Sequence, residues 1–146
     1  KIRQKIPKRI AKLTNTTSSF LQRKGFSFKK SLDLIDKFMD RKSIFIDNGG
    51  DLKLLKHNIK FHNIKRHNKK IINYVNLSKM TKRFNKNKII GTANLNKIFK
   101  FKINYNKHNS LNDCITISRT LKIIIKNYGK KEFKKMILVN KKLISF

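Results

Sequence analysis

The chain has 146 residues, 38 of them Lys or Arg against seven Asp or Glu, for a formal net charge of +31. That length suits one modest domain with extensions. No apolar run is long enough for a secretory signal or a membrane span, and the single cysteine, Cys114, excludes an internal disulfide framework and a cysteine zinc cage.

The sequence opens at Lys1 without a methionine, which leaves room for a preceding piece. Residues 1–20 read as a basic arm that opens KIRQKIPKRIAKLTNTT. Its Ile2, Ile6, Ile10 and Leu13 recur at helical spacing, which predicts a short helix interrupted near Pro7. Residues 21–52 read as a helix–strand–turn unit. Within it, SFKKSLDLIDKFMDR (27–41) is an amphipathic helix with Leu32, Ile35, Phe38 and Met39 on the buried stripe and Ser27 or Ser31 as cap. Ser43 to Asp47 is a short apolar strand, and Asn48-Gly49-Gly50 a turn whose glycines tolerate positive φ.

Residues 53–96 form a basic Lys-, Asn- and His-rich extension, and its stretch 53–88 lacks clean periodicity and is readable as strands or as one irregular helix. Residues 97–146 read as a strand–helix–hairpin unit. Phe99, Phe101, Ile103 and Tyr105 alternate with polar residues, the pattern of a half-buried strand with aromatics inward and Lys100 and Lys102 outward. Ser110 is expected to cap a helix running to Tyr128, with Leu111, Cys114, Ile115, Leu121, Ile124 and Ile125 near one face and Gly129 at its end. MILVNKKLISF reads as two short strands. The expected fold class is α+β, a small core of about two helices and a short sheet with long basic extensions.

Charge bears on function most directly. A compact chain of this length has a radius of gyration of roughly 15 Å. Placing 31 net charges on it costs a screened self-repulsion on the order of 30 kcal/mol. Only part of that opposes folding, yet a fraction rivals the roughly 5–15 kcal/mol that holds an ordinary domain together. A polyanion that releases counterions offsets it. A membrane surface usually recruits clustered charge beside an apolar face, whereas here the cations run from Lys1 to Lys142 with few gaps, so nucleic acid is the expected partner. Lysine outnumbers arginine 31 to 7, and Ile, Asn and Phe are plentiful while Pro is nearly absent and Trp absent. No folding rule asks for that combination. The favoured residues have AT-rich codons, which suggests the genome of a mitochondrion, plastid or endosymbiont.

Residues that could carry chemistry are few. Asp33, Asp36 and Asp40 lie at helical spacing, where a solvated face offsetting lysines is expected rather than a cation site. His57, His62 and His67 recur every five residues, a spacing that gathers them on neither a helix nor a strand. Base stacking or phosphate contact beside Lys56, Lys60, Lys65 and Arg66 is one role for them, plain surface exposure the other. Cys114, on an apolar helical face, is expected to be buried and structural. The chain has no phosphate-binding glycine loop, dinucleotide fingerprint or serine elbow.

By composition and layout the chain resembles a divergent, protist mitochondrial ribosomal protein. The stretch Leu21–Gly50, LQRKGFSFKKSLDLIDKFMDRKSIFIDNGG, is similar to the RNA-binding module of ribosomal small-subunit protein four. In that module Gly-Phe precedes a basic helix and then a strand ending in Asn-Gly, places taken here by Gly25-Phe26, the helix from Lys29, and Ile44 to Gly49. The arginine pair that opens the module's helix is absent, and the spacing is about three residues longer. SRTLKIIIKNYG…ILVNKK echoes the same pattern with a longer insertion. The resemblance implies that Arg23, Lys24, Lys29, Lys30 and Lys42 contact ribosomal RNA.

The expectation is thus a non-enzymatic structural protein of an organellar ribosome, in the mitochondrial matrix and with the small subunit favoured. Its partners would be ribosomal RNA and neighbouring ribosomal proteins, with no cofactor, metal, membrane or small-molecule substrate. The RNA-binding residues expected are Lys5, Lys8, Arg9 and Lys12; Arg23, Lys24, Lys29 and Lys30; and Lys65, Arg66, Lys69 and Lys70. Two other classes stay open. One is a fragment of an RNA-processing or intron-encoded enzyme, which needs a carboxylate or nucleophile cluster. The other is a basic DNA-compacting protein, which needs equal affinity for duplex DNA and structured RNA.

Overall fold

The structure, a computed structural model, describes residues 5–38, 43–64, 71–104 and 109–145. The chain divides into two compact units, Lys1–Asp40 and Arg41–Phe146, so the stretch Leu21–Gly50 spans the division. Among the described residues there are seven α-helices, a 3-10 turn and one three-stranded sheet, an α+β architecture as expected.

The first unit is helical. Pro7 does not interrupt a helix but starts one, standing as the cap of α1 (Lys8–Thr14) with φ −56° and ψ 138°. A proline's fixed φ and missing N–H are tolerated there because the first amides of a helix lack intrahelical partners. Asn15 closes α1 in the left-handed region. The hydroxyl of Thr17 then accepts from the Phe20 amide to cap α2 (Ser18–Lys24), and Ser27 does the same for Lys30 at the start of α3 (Phe28–Phe38). Gly25, between α2 and α3, must be glycine, because a Cβ would lie 2.3 Å from the Leu21 carbonyl oxygen. On α3 the expected stripe is partly realised. Leu32 is buried and Ile35 half-buried, but Phe38 ends the helix 90 % exposed, and Met39 lies outside the described residues.

The second unit is built on a β–α–β crossover. Strand β1 (Ile44–Asp47) runs parallel to β2 (Ile71–Asn76), with helix α4 (Asp51–Phe61) between them in sequence. Strand β3 (Lys141–Ser145) adds antiparallel to the other edge of β2. The central strand of the sheet therefore lies inside the stretch 53–88, where sequence pattern alone does not choose between helix and strand. Asn48-Gly49-Gly50 does form the bend after β1, but neither glycine uses positive φ, and Gly50 caps α4 at φ −112°.

Helices α5 (Leu77–Thr81), α6 (Thr92–Ile98) and α7 (Ser110–Asn140) complete this unit. Its core gathers Val75, Leu77, Met80, Ile90, Leu95, Ile124, Met136 and Ile137, with Ile46, Phe84, Phe99, Leu121 and Phe133 packed around them. Three sequence expectations are corrected here. The strand expected at Phe99–Tyr105 is not formed over its described residues, 99–104: Leu95, Ile98 and Phe99 stand at i, i+3 and i+4, so α6 wins, and Lys100 reverses the chain at φ 52°. Phe101 and Ile103 do alternate half-buried with exposed Lys102 and Asn104, but with no ladder partner, and Tyr105 lies outside the described residues. The expected hairpin at the C-terminus is half helix, because Phe133, Met136 and Ile137 continue one face of α7, and only Lys141–Ser145 is strand.

The third correction concerns which way α7 faces. Thr116, Thr120 and Ile124, four residues apart, centre its buried side, so Leu111 is 68 % exposed and Cys114 is exposed rather than buried. The threonines can be buried because each hydroxyl donates to the carbonyl four residues back, Thr116 to Asn112 and Thr120 to Thr116, both at 2.9 Å. Asn109, one residue before the expected Ser110, caps the helix. Gly129 breaks it as expected, at φ 79° and ψ 158°, a conformation open essentially only to glycine.

A polar network fixes where α4 begins. The Tyr74 hydroxyl donates to Asp47 Oδ1 at 2.7 Å, and both side chains are buried. Asn76 Nδ2 donates to the Gly49 carbonyl at 2.7 Å and to the Tyr74 oxygen at 3.2 Å, while Asn76 Oδ1 accepts from Ser78 and from the Lys79 amide that opens α5. Asn48 Nδ2 donates to the Ile90 carbonyl and to Thr92. Burial first, and then the hydrogen bond to Asp47, push the Tyr74 phenol up to about 12.

Two outcomes are expected. Tyr74→Phe strands the buried Asp47 carboxylate without its phenol donor and should cost roughly 1–3 kcal/mol in urea unfolding; an unchanged midpoint would show that the corner does not depend on this bond. The raised phenol pKa means the folded state holds the proton longer than the unfolded chain. Its stabilisation is therefore complete below pH ~10 and lost as pH rises towards 12. The difference in phenolate absorbance between wild type and Tyr74→Phe should develop near pH 12. Separately, Gly129→Ala should cost roughly 1–3 kcal/mol through backbone strain alone, since nothing crowds a Cβ there.

Candidate nucleic-acid interface

Every Lys and Arg among the described residues is solvent-exposed. In α1, the cations Lys8, Arg9 and Lys12 fall within about 100° of arc at 100° per residue, with Lys5 preceding them. Arg23 and Lys24 occupy the last turn of α2, where the helix dipole favours them. Lys29 and Lys30 occupy the first turn of α3, where the dipole disfavours cations and no acid offsets them. The Lys30 ammonium lies 4.6 Å from the Phe26 ring centroid. Lys42, Lys65, Arg66, Lys69 and Lys70 lie outside the described residues, as do Asp40 and His67.

Helix α4 presents the best-defined face, and it carries residues beyond those singled out from sequence. Around its axis Leu52, Leu55 and Ile59 form one half-buried arc. Lys56, Lys60 and Lys53 form the next, all exposed. His57, Phe61 and Leu54 complete the turn, with Phe61 74 % and Leu54 61 % exposed. The His57 and Phe61 rings lie nearly parallel, 16° apart in plane with centroids 6.3 Å apart. His62, which closes the helix, meets Phe61 edge-on at 5.2 Å. The three- and four-residue spacing of Lys53, Lys56 and Lys60 is present in the sequence, but only a helix at 51–61 gives it a face.

Two arginines serve the fold. Arg83 lies 3.9 Å from Glu132, donates to Met136 Sδ at 2.8 Å, and sits over the Phe84 ring at 4.9 Å. Arg119 donates to the Lys102 carbonyl, tying the segment after α6 to α7.

The acids are distributed differently from the sequence expectation. Asp33 is exposed and Asp36 half-buried on α3. Asp51, in the first turn of α4, instead feels the charges of Asp47, the last residue of β1, and of Asp113, in the first turn of α7. Partial burial first, and then the charges of Asp47 and Asp113, raise the Asp51 pKa above the ordinary carboxylate value. Asp47 is already engaged by Tyr74 and, more loosely, by the Gly49 and Leu52 amides. Among the described residues no three His, Cys, Asp or Glu side chains come together as a set of metal ligands. No described helix is long and apolar enough to cross a membrane.

No protein-family model, curated protein or solved structure matches the chain.

Proposed function

We propose that this protein is a structural constituent of an organellar ribosome, mitochondrial rather than plastid or endosymbiont, that binds ribosomal RNA through many separate phosphate contacts. The observation that carries this reading is that every described cation is solvent-exposed in a chain of 38 Lys and Arg and seven acids. Even if every acid neutralised one cation, 31 would remain for a polyanion. Lysines at the amino end of α3 cost the free protein stability and gain it beside a phosphate. The ribosomal assignment rests on the AT-biased composition, and the preference for the small subunit on the resemblance of Leu21–Gly50 to the module of small-subunit protein four. The proposed contacts are Lys5, Lys8, Arg9 and Lys12, then Arg23, Lys24, Lys29 and Lys30, then Lys65, Arg66, Lys69 and Lys70, with Lys53, Lys56 and Lys60 added from α4. Neighbouring ribosomal proteins would share the site, and no chemistry is assigned to it.

A nucleic-acid enzyme has one observation in its favour, the charges of Asp47 and Asp113 acting on Asp51. The structural engagement of Asp47 weighs against it.

In an organelle lysate at about 0.5 M salt, where loose electrostatic binding fails, the protein should sediment with one ribosomal subunit. Release into the soluble pool would sink the proposal. With purified components, binding to structured ribosomal RNA should fall steeply with salt, and each single Lys→Ala change among the proposed contacts should reduce the log–log slope by about one while weakening binding only modestly. One lysine whose removal abolished binding would contradict a distributed interface.

A further inference from the structure

The exposed rings of α4 are not explained by phosphate neutralisation, which needs only cations. Phe61 is 74 % exposed and Leu54 61 % exposed on a helix that already has a half-buried apolar arc at Leu52, Leu55 and Ile59. Beside them stands an arc of three lysines, spaced along about 10 Å of helix between Lys53 and Lys60 at 1.5 Å rise per residue. We propose that this face of α4 binds unpaired RNA, with a base stacked on Phe61 and His57 while Lys53, Lys56 and Lys60 hold the adjoining phosphates. The inference rests on the RNA-binding reading above and narrows it to one element and one kind of RNA.

The choice of occupant comes from the two arcs together. A cationic arc alone would suit any nucleic acid. Rings bind bases through their faces, and in a paired helix those faces are stacked inside and out of reach, so the rings select unpaired nucleotides. A protein partner docking on Phe61 and Leu54 would bring its own surface against Lys53, Lys56 and Lys60, which only a strongly acidic segment tolerates. Unpaired RNA supplies both features in the same repeating unit, a flat π-face and a phosphate. His57 lies nearly parallel to Phe61, and His62 meets the same ring edge-on, so three rings gather at this end of the helix. Leu54 extends the apolar strip by two turns of helix from Phe61 and would cover the sugar or a second base.

The test uses the full chain and two probes of equal length, a single-stranded RNA of about twelve nucleotides carrying one 2-aminopurine and a blunt RNA duplex. Wild type should quench the 2-aminopurine on binding, as stacked fluorophores do. Phe61→Ala should weaken the single strand roughly 5- to 100-fold and abolish quenching, leaving duplex affinity within about twofold. Phe61→Leu, which keeps the apolar bulk without the ring, should behave like the alanine variant, and Phe61→Tyr should restore both readings. Lys53, Lys56 and Lys60 changed together to Ala should lower the single-strand salt slope by about two, at roughly 0.7 per phosphate. Because Phe61 is largely exposed, all variants should keep wild-type circular dichroism. Equal losses on single strand and duplex, or no loss at Phe61→Ala, would overturn the inference while leaving general RNA binding intact. Failure of wild type to bind either probe at low salt would instead overturn the RNA-binding reading itself.

Discussion

With fewer than one acid for every five cations, where each acid is spent governs what the chain can build. Asp47 is spent inside, at the end of β1, where the Tyr74 hydroxyl and two backbone amides surround it. Burying a carboxylate is expensive unless hydrogen bonds replace its water, and here they come from the strand it pairs with and the bend it begins. The result is a fixed corner: β1 ends, the chain turns through Gly49 and Gly50, and α4 starts at a defined place and angle. Glu132 is spent holding Arg83 against the aromatic pair Phe84 and Tyr128, within 4 Å of Lys135 as well. The described core is held by apolar packing and by hydrogen bonds that need no charge. The lysines are therefore left free to face outward.

Uncharged polar groups take over work that acids do elsewhere. Thr17, Ser27, Asn76 and Asn109 cap helices through side-chain oxygens. Thr81, Thr116 and Thr120 enter the core by returning their hydroxyls to the preceding turn. Asparagine bridges the corners, through Asn48 to the Ile90 carbonyl and through Asn76 to Gly49. A sequence biased towards Asn and Lys has this chemistry in supply. None of it adds to the seven acids, and none of it neutralises a cation.

The same substitution of neutral for charged groups explains which parts of the fold could be read in the sequence. The helix at Phe28–Phe38, the strand at Ile44–Asp47 and the break at Gly129 come from local signals, namely spacing, caps and a residue with unusual backbone freedom. The facing of α7 does not, because periodicity analysis counts threonine as polar, and Thr116 and Thr120 centre the buried side. The strand β2 is hidden for another reason. IINYVN is too short to declare itself, and what makes it central is its pairing with two distant segments, 44–47 and 141–145. Alternation at Phe99–Tyr105 is real as a burial pattern over its described residues but has no partner strand, and a ladder is a property of two segments. The candidate interface is legible in the sequence as charge and not as surface. Lys56, Lys60 and His57 are visible as residue types, but only a helix at Asp51–Phe61 sorts them into a cationic arc and an aromatic one.

That sorting bears on how recognition would be divided in the proposed RNA complex. A contact spread over many exposed lysines gives large affinity and little discrimination, because each phosphate resembles the next and each lysine side chain is long and mobile. Discrimination needs groups whose position is set before binding, and flexible cations do not meet that condition. Helix α4 begins at the Asp47–Tyr74–Asn76 corner, and its exposed Phe61 ring has His57 nearly parallel to it and His62 edge-on. In the proposed complex that ring, set directly on a helix rather than at the end of a long cationic side chain, would be the part able to tell a base face from a phosphate. On the proposed reading the +31 charge would set how strongly the protein adheres, and the buried carboxylate at Asp47, at the corner where α4 begins, would set where.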